Sequence, residues 1–424
     1  MAITPSLLGR ELGNGPRRRG KSLRPLVMGM RTEALQLSTS IELAPAHRAP
    51  VTSLALDRVE GRYLLSSAGD GTIALYDVEE RGPLCTPRSP STPLALLNKR
   101  TRGNHTLGVT CVDWLPSDTG VFVRQVSQVS QRSSSPRACV TARAHVSACI
   151  HTRLFSPYSS GGSDSRVKLW DTNKLSVAID FHLPGSVHCI AMSPSATTHN
   201  LVATAASGSE GDVRLCDPVA GCATHRLRGH RATPLSVCWR PASEHQLASA
   251  GSDSAVRVWD VRKTNACLLS LNHAPGPNHP ARAAQAAAAT TVTQASRLQA
   301  EPTAHRGAVT SIVYTPDGEF MLSAARDHRL RLWRSESGQN TLVHFAGAFN
   351  PSTRMRQLAI GIDQIGGLQH ARVYFPSKAG VLVYGLLSGK LLTTLKAHFG
   401  EATCCFAASA DKLFSGGDDC ALNV

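Results

Sequence analysis

A serine, a histidine and an aspartate recur together along this chain, and acyl-transfer enzymes assemble those three side chains into a nucleophile, a base and an orienting carboxylate. An Asp precedes an aromatic by six residues at Asp70/Tyr76, Asp164/Trp170, Asp253/Trp259 and Asp327/Trp333. A Ser stands four residues before each Asp, at Ser66, Ser160, Ser249 and Ser323, and a His lies some twenty residues further upstream, at His47, His105, His230 and His305. A fifth set, His398, Ser415 and Asp419, would place its aromatic at position 425, one past Val424. Repetition argues against hydrolysis, because a working triad occurs once, on a loop or nucleophile elbow, not at one register with an aromatic attached each time. The pattern instead predicts a hydrogen-bond network inside each repeat, His to Ser and Asp with the aromatic alongside, which satisfies buried polar groups. Asp253→Ala is then expected to destabilise its repeat, and the same change at Asp57, read as a surface position, to do little.

No other catalytic chemistry is signalled. Neither a P-loop nor a dinucleotide fingerprint opens a helix, and GSEGD at 208–212 reads as a turn. His225 with His230, and His273 with His279, lack Cys or carboxylate partners at metal spacing, so neither a metal nor a cofactor is expected.

One ending departs from the repetition. After Trp259 the chain reads Asp260-Val261-Arg262, a W-D-x-R run, where the other repeats give WDTN, CDPV and WRSE. An Arg just past a third strand is placed at the narrower face of a ring of repeats, where its planar fork could anchor a partner protein by bidentate hydrogen bonds. An ordinary surface Arg is the competing reading. Asp260 could also fix the turn that leaves the strand.

The elements that must position these residues are short strands. LLSSAGDGTIALYD (64–77), SSGGSDSRVKLWD (159–171), LASAGSDSAVRVWD (247–260) and MLSAARDHRLRLW (321–333) are copies of one unit, and their alternating runs are bounded by Gly, Asp, Asn and Ser turns. Four such strands make a propeller blade. Degraded copies at 186–217, with Cys216 in the aromatic slot, and at 341–390, without the His or the Asp, bring the count to seven. Setting aside 1–37, 123–158 and 272–302 leaves about 46 residues per unit, near the roughly 40 to 45 of a blade. The fold expected is all-β, a seven-bladed propeller over 38–424 with a short helical or disordered arm at 1–37 and an incomplete last blade. STSIELA (38–44) is suited to close the ring as the outer strand of that blade.

The Ser- and Arg-rich stretch at 123–158 interrupts the second strand of blade two, between Phe122 and Ser159, so it either bulges out or reflects an imperfect gene model. The Ala-, Pro- and Gln-rich stretch from Asn272 to Pro302 reads as a solvated linker between blades.

Composition narrows the class. With 42% apolar and 18% charged residues among 424, a core can form. No apolar run reaches the length of a spanning helix, no membrane contact is expected, and Met1 to Arg24 lacks the apolar core of a secretory signal. Twelve Cys without a C-x-x-C pair read as reduced, mostly buried thiols of an intracellular protein. The formal charge of +15 and PRRRGK at 16–21 allow a reading as a DNA-binding arm, which predicts affinity falling steeply with salt. Only 5% of residues are aromatic and few interleave with Arg, so a nucleic-acid stacking surface is not indicated.

The repeat units resemble the WD-repeat family over nearly everything from residue 38 onward apart from the insertions. The W-D-x-R ending resembles the box of those members that dock, as substrate receptors, on the damage-specific DNA-binding protein adaptor of cullin-four RING ubiquitin ligases. EGRYLLSSAGDGTIALYD, VDWLPSDTGVF, RLCDP, LRGHRATPLSVCWRP and SGQNTLVHF are similar to stretches of the Cockayne syndrome WD-repeat receptors. That resemblance implies a nuclear, non-enzymatic receptor in transcription-coupled nucleotide excision repair, with the Cockayne syndrome B translocase and stalled RNA polymerase II as targets. It also implies an N-terminal helix on the adaptor, for which Leu7, Leu8 and Leu12 have the spacing, although Gly13, Gly15 and Pro16 stop it early. The alternative is a general scaffold of a nuclear chromatin or RNA-processing complex without ligase contact.

Overall fold

The computed structural model describes residues 43–424 except 58–59, 79–90, 102, 116–157, 173, 196–197, 209–210, 264–266, 273–302, 364–366 and 410–411. The arm with Leu7, Leu8 and Leu12, and nearly all of both insertions, lie outside the described residues.

Every regular element among the described residues is a strand, and the strands form seven antiparallel sheets taken in chain order, five of four strands and two of three. The innermost strands are Val51–Leu56, Val109–Trp114, Val187–Met192, Pro234–Trp239, Val309–Tyr314, Ala359–Asp363 and Ala402–Ala407. Each contacts the next around a ring, and the last contacts the first. This is a closed seven-bladed β-propeller.

Burial follows position in the blade. The second strands Tyr63–Ala68, Gln246–Gly251 and Phe320–Ala325 are buried beyond their first residue, which is why they carry only small and apolar side chains and Ser. The outer strands Cys222–Leu227 and Leu391–Leu395 face water over much of their length and admit Thr, His and Arg. Seven sheets packed face to face leave one buried layer between each pair of blades and a solvated rim.

A bulge recurs where the inner strand meets the second, between Val51 and Ser53, Val109 and Cys111, Val309 and Ser311, and Ala402 and Cys404. A Thr occupies it. The hydroxyl of Thr52 lies 2.8 Å from the carbonyl oxygen of Val109, and that of Thr110 lies 2.8 Å from Val187, so each ties its blade to the next. Thr403 reaches Val51 in the same way and closes blade seven onto blade one. At that seam Gly416 is required, since a Cβ there would stand 2.7 Å from Val51 Cγ1.

The stretch entering blade six crosses the channel. Gln357 pairs through its main chain with Cys404 and Cys405 of blade seven, while its side-chain amide accepts from Leu54 N (2.8 Å) and donates to Leu54 O (2.6 Å) of blade one. Two residues earlier, Met355 packs on the apolar clusters of blades two, three and four. Beside this plug a cavity of about 420 Å³ is lined from all seven blades and includes Asp113, Pro194, Pro241, Pro316 and Phe406.

Three expectations change, and a fourth falls mostly outside the described residues. Tyr158, placed in the insertion, is buried and paired with Trp114 in an intact second strand, Tyr158–Gly162. The long stretch therefore lies in the connection between two strands, where extra length breaks no ladder bond. Blade six spans Ala359–Leu395, displaced from 341–390, because residues 340–345 run along the outside of blade five, with Asn340 bridged to Trp333. Of the closing strand, 38–42 lie outside the described residues, and Leu43 and Ala44 bond to Ser91 beside blade one. Asp57, read as a surface residue, is buried, with its carboxylate taking the Glu60 amide to fix the turn after the first strand.

Candidate functional site

Antiparallel order gives the ring two unlike ends. The turns between second and third strands and the connections into each inner strand share one end, and there every His meets its Asp or that Asp's turn. In blade four His230 Nδ1 lies 2.9 and 3.0 Å from the Asp253 carboxylate oxygens, and its Nε2 lies 2.7 Å from Ser249 Oγ. Trp259 Nε1 donates to the same Ser249 Oγ at 2.7 Å. A consistent proton assignment has Nδ1–H facing the carboxylate, and the Ser hydroxyl giving its proton to Nε2 while accepting from the indole.

Blades two and five repeat the arrangement with His105, Asp164, Ser160 and Trp170, and with His305, Asp327, Ser323 and Trp333. In blade five Arg331 adds a 2.8 Å ion pair to Asp327. Blade seven joins His398 to Asp419 and Ser415, with Asn423 beside the ring. The main-chain N–H after each His also reaches the Asp, from Thr106, Arg231, Arg306 and Phe399. These donors hold Asp253 below the ordinary carboxylate range although burial pushes it the other way. The residue after each Asp is left-handed, Ser165, Ser254, His328 and Cys420 at φ 58 to 63°.

The Ser–His–Asp order of contacts matches an esterase relay, but Ser160, Ser249 and Ser323 are fully buried and already hydrogen-bonded to Trp. No substrate carbonyl could approach such an oxygen, so the arrangement can fix a turn and cannot attack.

Blade one differs. His47 Nδ1 meets Thr72 Oγ1 at 2.6 Å, and Thr72 in turn donates to Asp70, so the His and the Asp are joined through a hydroxyl. Tyr76 turns its hydroxyl to the carbonyl oxygen of Ala44 and leaves Ser66 to His47 alone.

The other end carries Arg262. Its Nε and Nη2 donate to the two oxygens of Asp260 at 3.0 and 2.7 Å, and its main-chain N–H adds a third bond. The fork read from sequence as open to a partner is therefore occupied within its own turn. The Arg262 side chain is nevertheless 65% exposed over a buried Asp260, whose carboxyl the guanidinium holds down at about 2. A charged group held by a buried carboxylate presents its remaining donors in a fixed direction, which lowers the entropy lost on docking. Blade one builds a similar pair from a different position, with Arg62 bidentate on Asp77.

The Arabidopsis thaliana WD repeat-containing protein ATCSA-1 is 30% identical over 99% of this chain and 93% of its own length. The chain belongs to the WD-repeat family. The family's WD domain, G-beta repeat matches residues 38–77, 221–260 and 296–334, which take in Tyr76, Trp259 and Trp333. Shorter similarities reach the WD repeat-containing protein 90 of Xenopus tropicalis, 26% identical over 47% of this chain and 11% of that protein. They also reach the ribosome biogenesis protein ytm1 of Pyrenophora tritici-repentis, 27% identical over 55% and 46%. A WD-repeat propeller is a scaffold, with loops and turns at its two ends for partners. Sequence reading passed over the bulge threonines and Gln357, although a Thr second in VTSLAL, VTCVDW, VTSIVY and ATCCFA was a visible signal.

Proposed function

We propose that this chain is a non-enzymatic substrate receptor of a cullin-four RING ubiquitin ligase, acting in the nucleus in transcription-coupled nucleotide excision repair. The end of the ring that carries Asp260 and Arg262, together with residues 1–37, holds the damage-specific DNA-binding protein adaptor. The opposite end holds the target, in this reading the Cockayne syndrome B translocase at stalled RNA polymerase II. Ubiquitin transfer gains from proximity, because target lysines meet the ligase's catalytic module at high effective concentration. The observation that carries the reading is the similarity to ATCSA-1 along nearly the whole of both chains, with the exposed, carboxylate-held Arg262 as the local support. A ribosome-biogenesis relative favours a scaffold without ligase contact, but that similarity covers about half of this chain, a length that shared blades alone supply.

Capture of the purified adaptor by the full chain tests the proposal. Arg262→Ala should weaken capture roughly thirtyfold, as truncating an interface Arg does, with the chain still folded although Asp260 keeps only its main-chain partner in the turn. The same change in a chain lacking residues 1–37 shows whether the arm masks the effect. Wild-type capture by both variants would return Arg262 to an ordinary blade end.

A further inference from the structure

The end of the ring opposite Arg262 carries a run of exposed arginines beside exposed aromatic carbon. Arg306 follows His305, and Arg326 and Arg329 flank Asp327 in the turn of blade five; all three side chains are exposed. The carboxylate beside them is already taken by His305 and Arg331. Next along the ring, Phe349 stacks on His328 at 4.4 Å between centroids and is still 53% exposed. Exposed Arg354 follows in the stretch leading to the channel plug, close enough to act on Asp418 of blade seven. There Phe399, held only by its main-chain bond to Asp419, is 105% exposed.

Phe349 and Phe399 both present apolar area to water beside these cations, and covering that area with an apolar side chain is favourable. The arc from Arg306 to Phe399 thus runs from a cluster of three arginines through Phe349 and Arg354 to Phe399. Asp418, Asp419 and Glu401 surround the foot of Phe399. Any anion laid over that ring would be repelled by these carboxylates, whereas an uncharged apolar side chain would not, so a bound segment must keep its own carboxylates at the arginines and away from Phe399.

We propose that this arc is a docking surface for an acidic protein segment, its carboxylates met by Arg306, Arg326, Arg329 and Arg354 and an apolar side chain seated on Phe399. It gives the target of the receptor reading a chemical class, and it rests on that reading only for what becomes of the bound segment.

A fluorescent synthetic peptide alternating Asp-Glu pairs with Leu and Phe is the probe, titrated against the full chain. A Lys-substituted peptide and a short DNA duplex are the comparison arms. The acidic peptide should bind best and weaken as salt is raised. Phe399→Ala should lower its affinity about tenfold, and the double change Arg306→Glu with Arg329→Glu by more, both at unchanged melting temperature because these side chains are exposed. Peptide binding indifferent to both variants, or a duplex bound more tightly than the peptide, overturns the proposal. Adaptor capture measured on the same samples separates the two ideas: capture without peptide binding sinks this surface alone, and peptide binding without capture sinks the ligase reading alone.

Discussion

Blade four and blade one carry His, Ser, Asp and an aromatic at the same spacing, yet the first joins His230 directly to Asp253 and the second interposes Thr72 between His47 and Asp70. The difference lies two residues after the Asp. Blade four has Ala255 there, which offers Asp253 only its main-chain N–H. Blade one has Thr72, which offers Asp70 both its N–H at 2.9 Å and its hydroxyl at 2.5 Å, and so takes the lone pairs that the His would use. The aromatic differs as well, since Trp259 completes Ser249 and Tyr76 bypasses Ser66. Blade six has no such His–Asp pair among its described residues and is held by Tyr384, Phe345 and the apolar cluster around them. Apolar layers therefore make a blade, and the polar set fixes the turn at one end of it.

The largest expected break between the two blades is acid loss centred on blade one. Burial of His47 brings its pKa from 6.5 down to about 4, with Asp70 opposing but not reversing the shift. The unfolded chain binds this proton more readily, so the stability that neutral His47 contributes is whole above pH 6.5 and is lost as pH falls toward 4. The loss amounts to about 3 kcal/mol at most. Urea unfolding midpoints at pH 7 and 4.5 should separate for the native chain and separate much less for His47→Gln. Equal separation would assign the acid loss to the carboxylates.

Next in size is Asp253→Ala. It strips His230, Arg231 and Ala255 of a buried acceptor and should cost about 1 to 3 kcal/mol, read as a drop in melting temperature. An unchanged melting temperature would show that blade four, like blade six, stands on its apolar layer. Asp57 cannot serve as the neutral comparison, because it is buried and caps its own turn.

The fold was legible because each blade repeats a local period, and periodicity survives even where Cys216 replaces the Trp. What the sequence concealed depends on partners far away in the chain. Gln357 finds Leu54 across 303 positions, and no local pattern marks an amide that will cross a channel. Thr72 was hidden differently: attention to the residues four before and six after the Asp passes over the one two after it, where the network is rerouted. Arg262 was visible as an exception, but its bond to Asp260 depends on the turn geometry between them.

The smallest expected effect tests that rerouting directly. Thr72→Ala gives blade one the Ala that blade four carries two residues after its Asp. It removes the hydroxyl between His47 and Asp70 while keeping the main-chain N–H that holds the turn. Two hydrogen bonds are lost and one charge-assisted bond between His47 and Asp70 becomes available, so the net change in stability should stay within about 1 kcal/mol. The informative readout is titration of the His47 ring by NMR. A carboxylate facing Nδ1 favours the protonated ring, so the pKa of His47 should rise from about 4 toward the ordinary value, and the acid slope of the chain should shrink with it. If His47 keeps its depressed pKa after the substitution, burial alone sets it, and the hydroxyl is a bystander rather than the cause of the difference between the two blades.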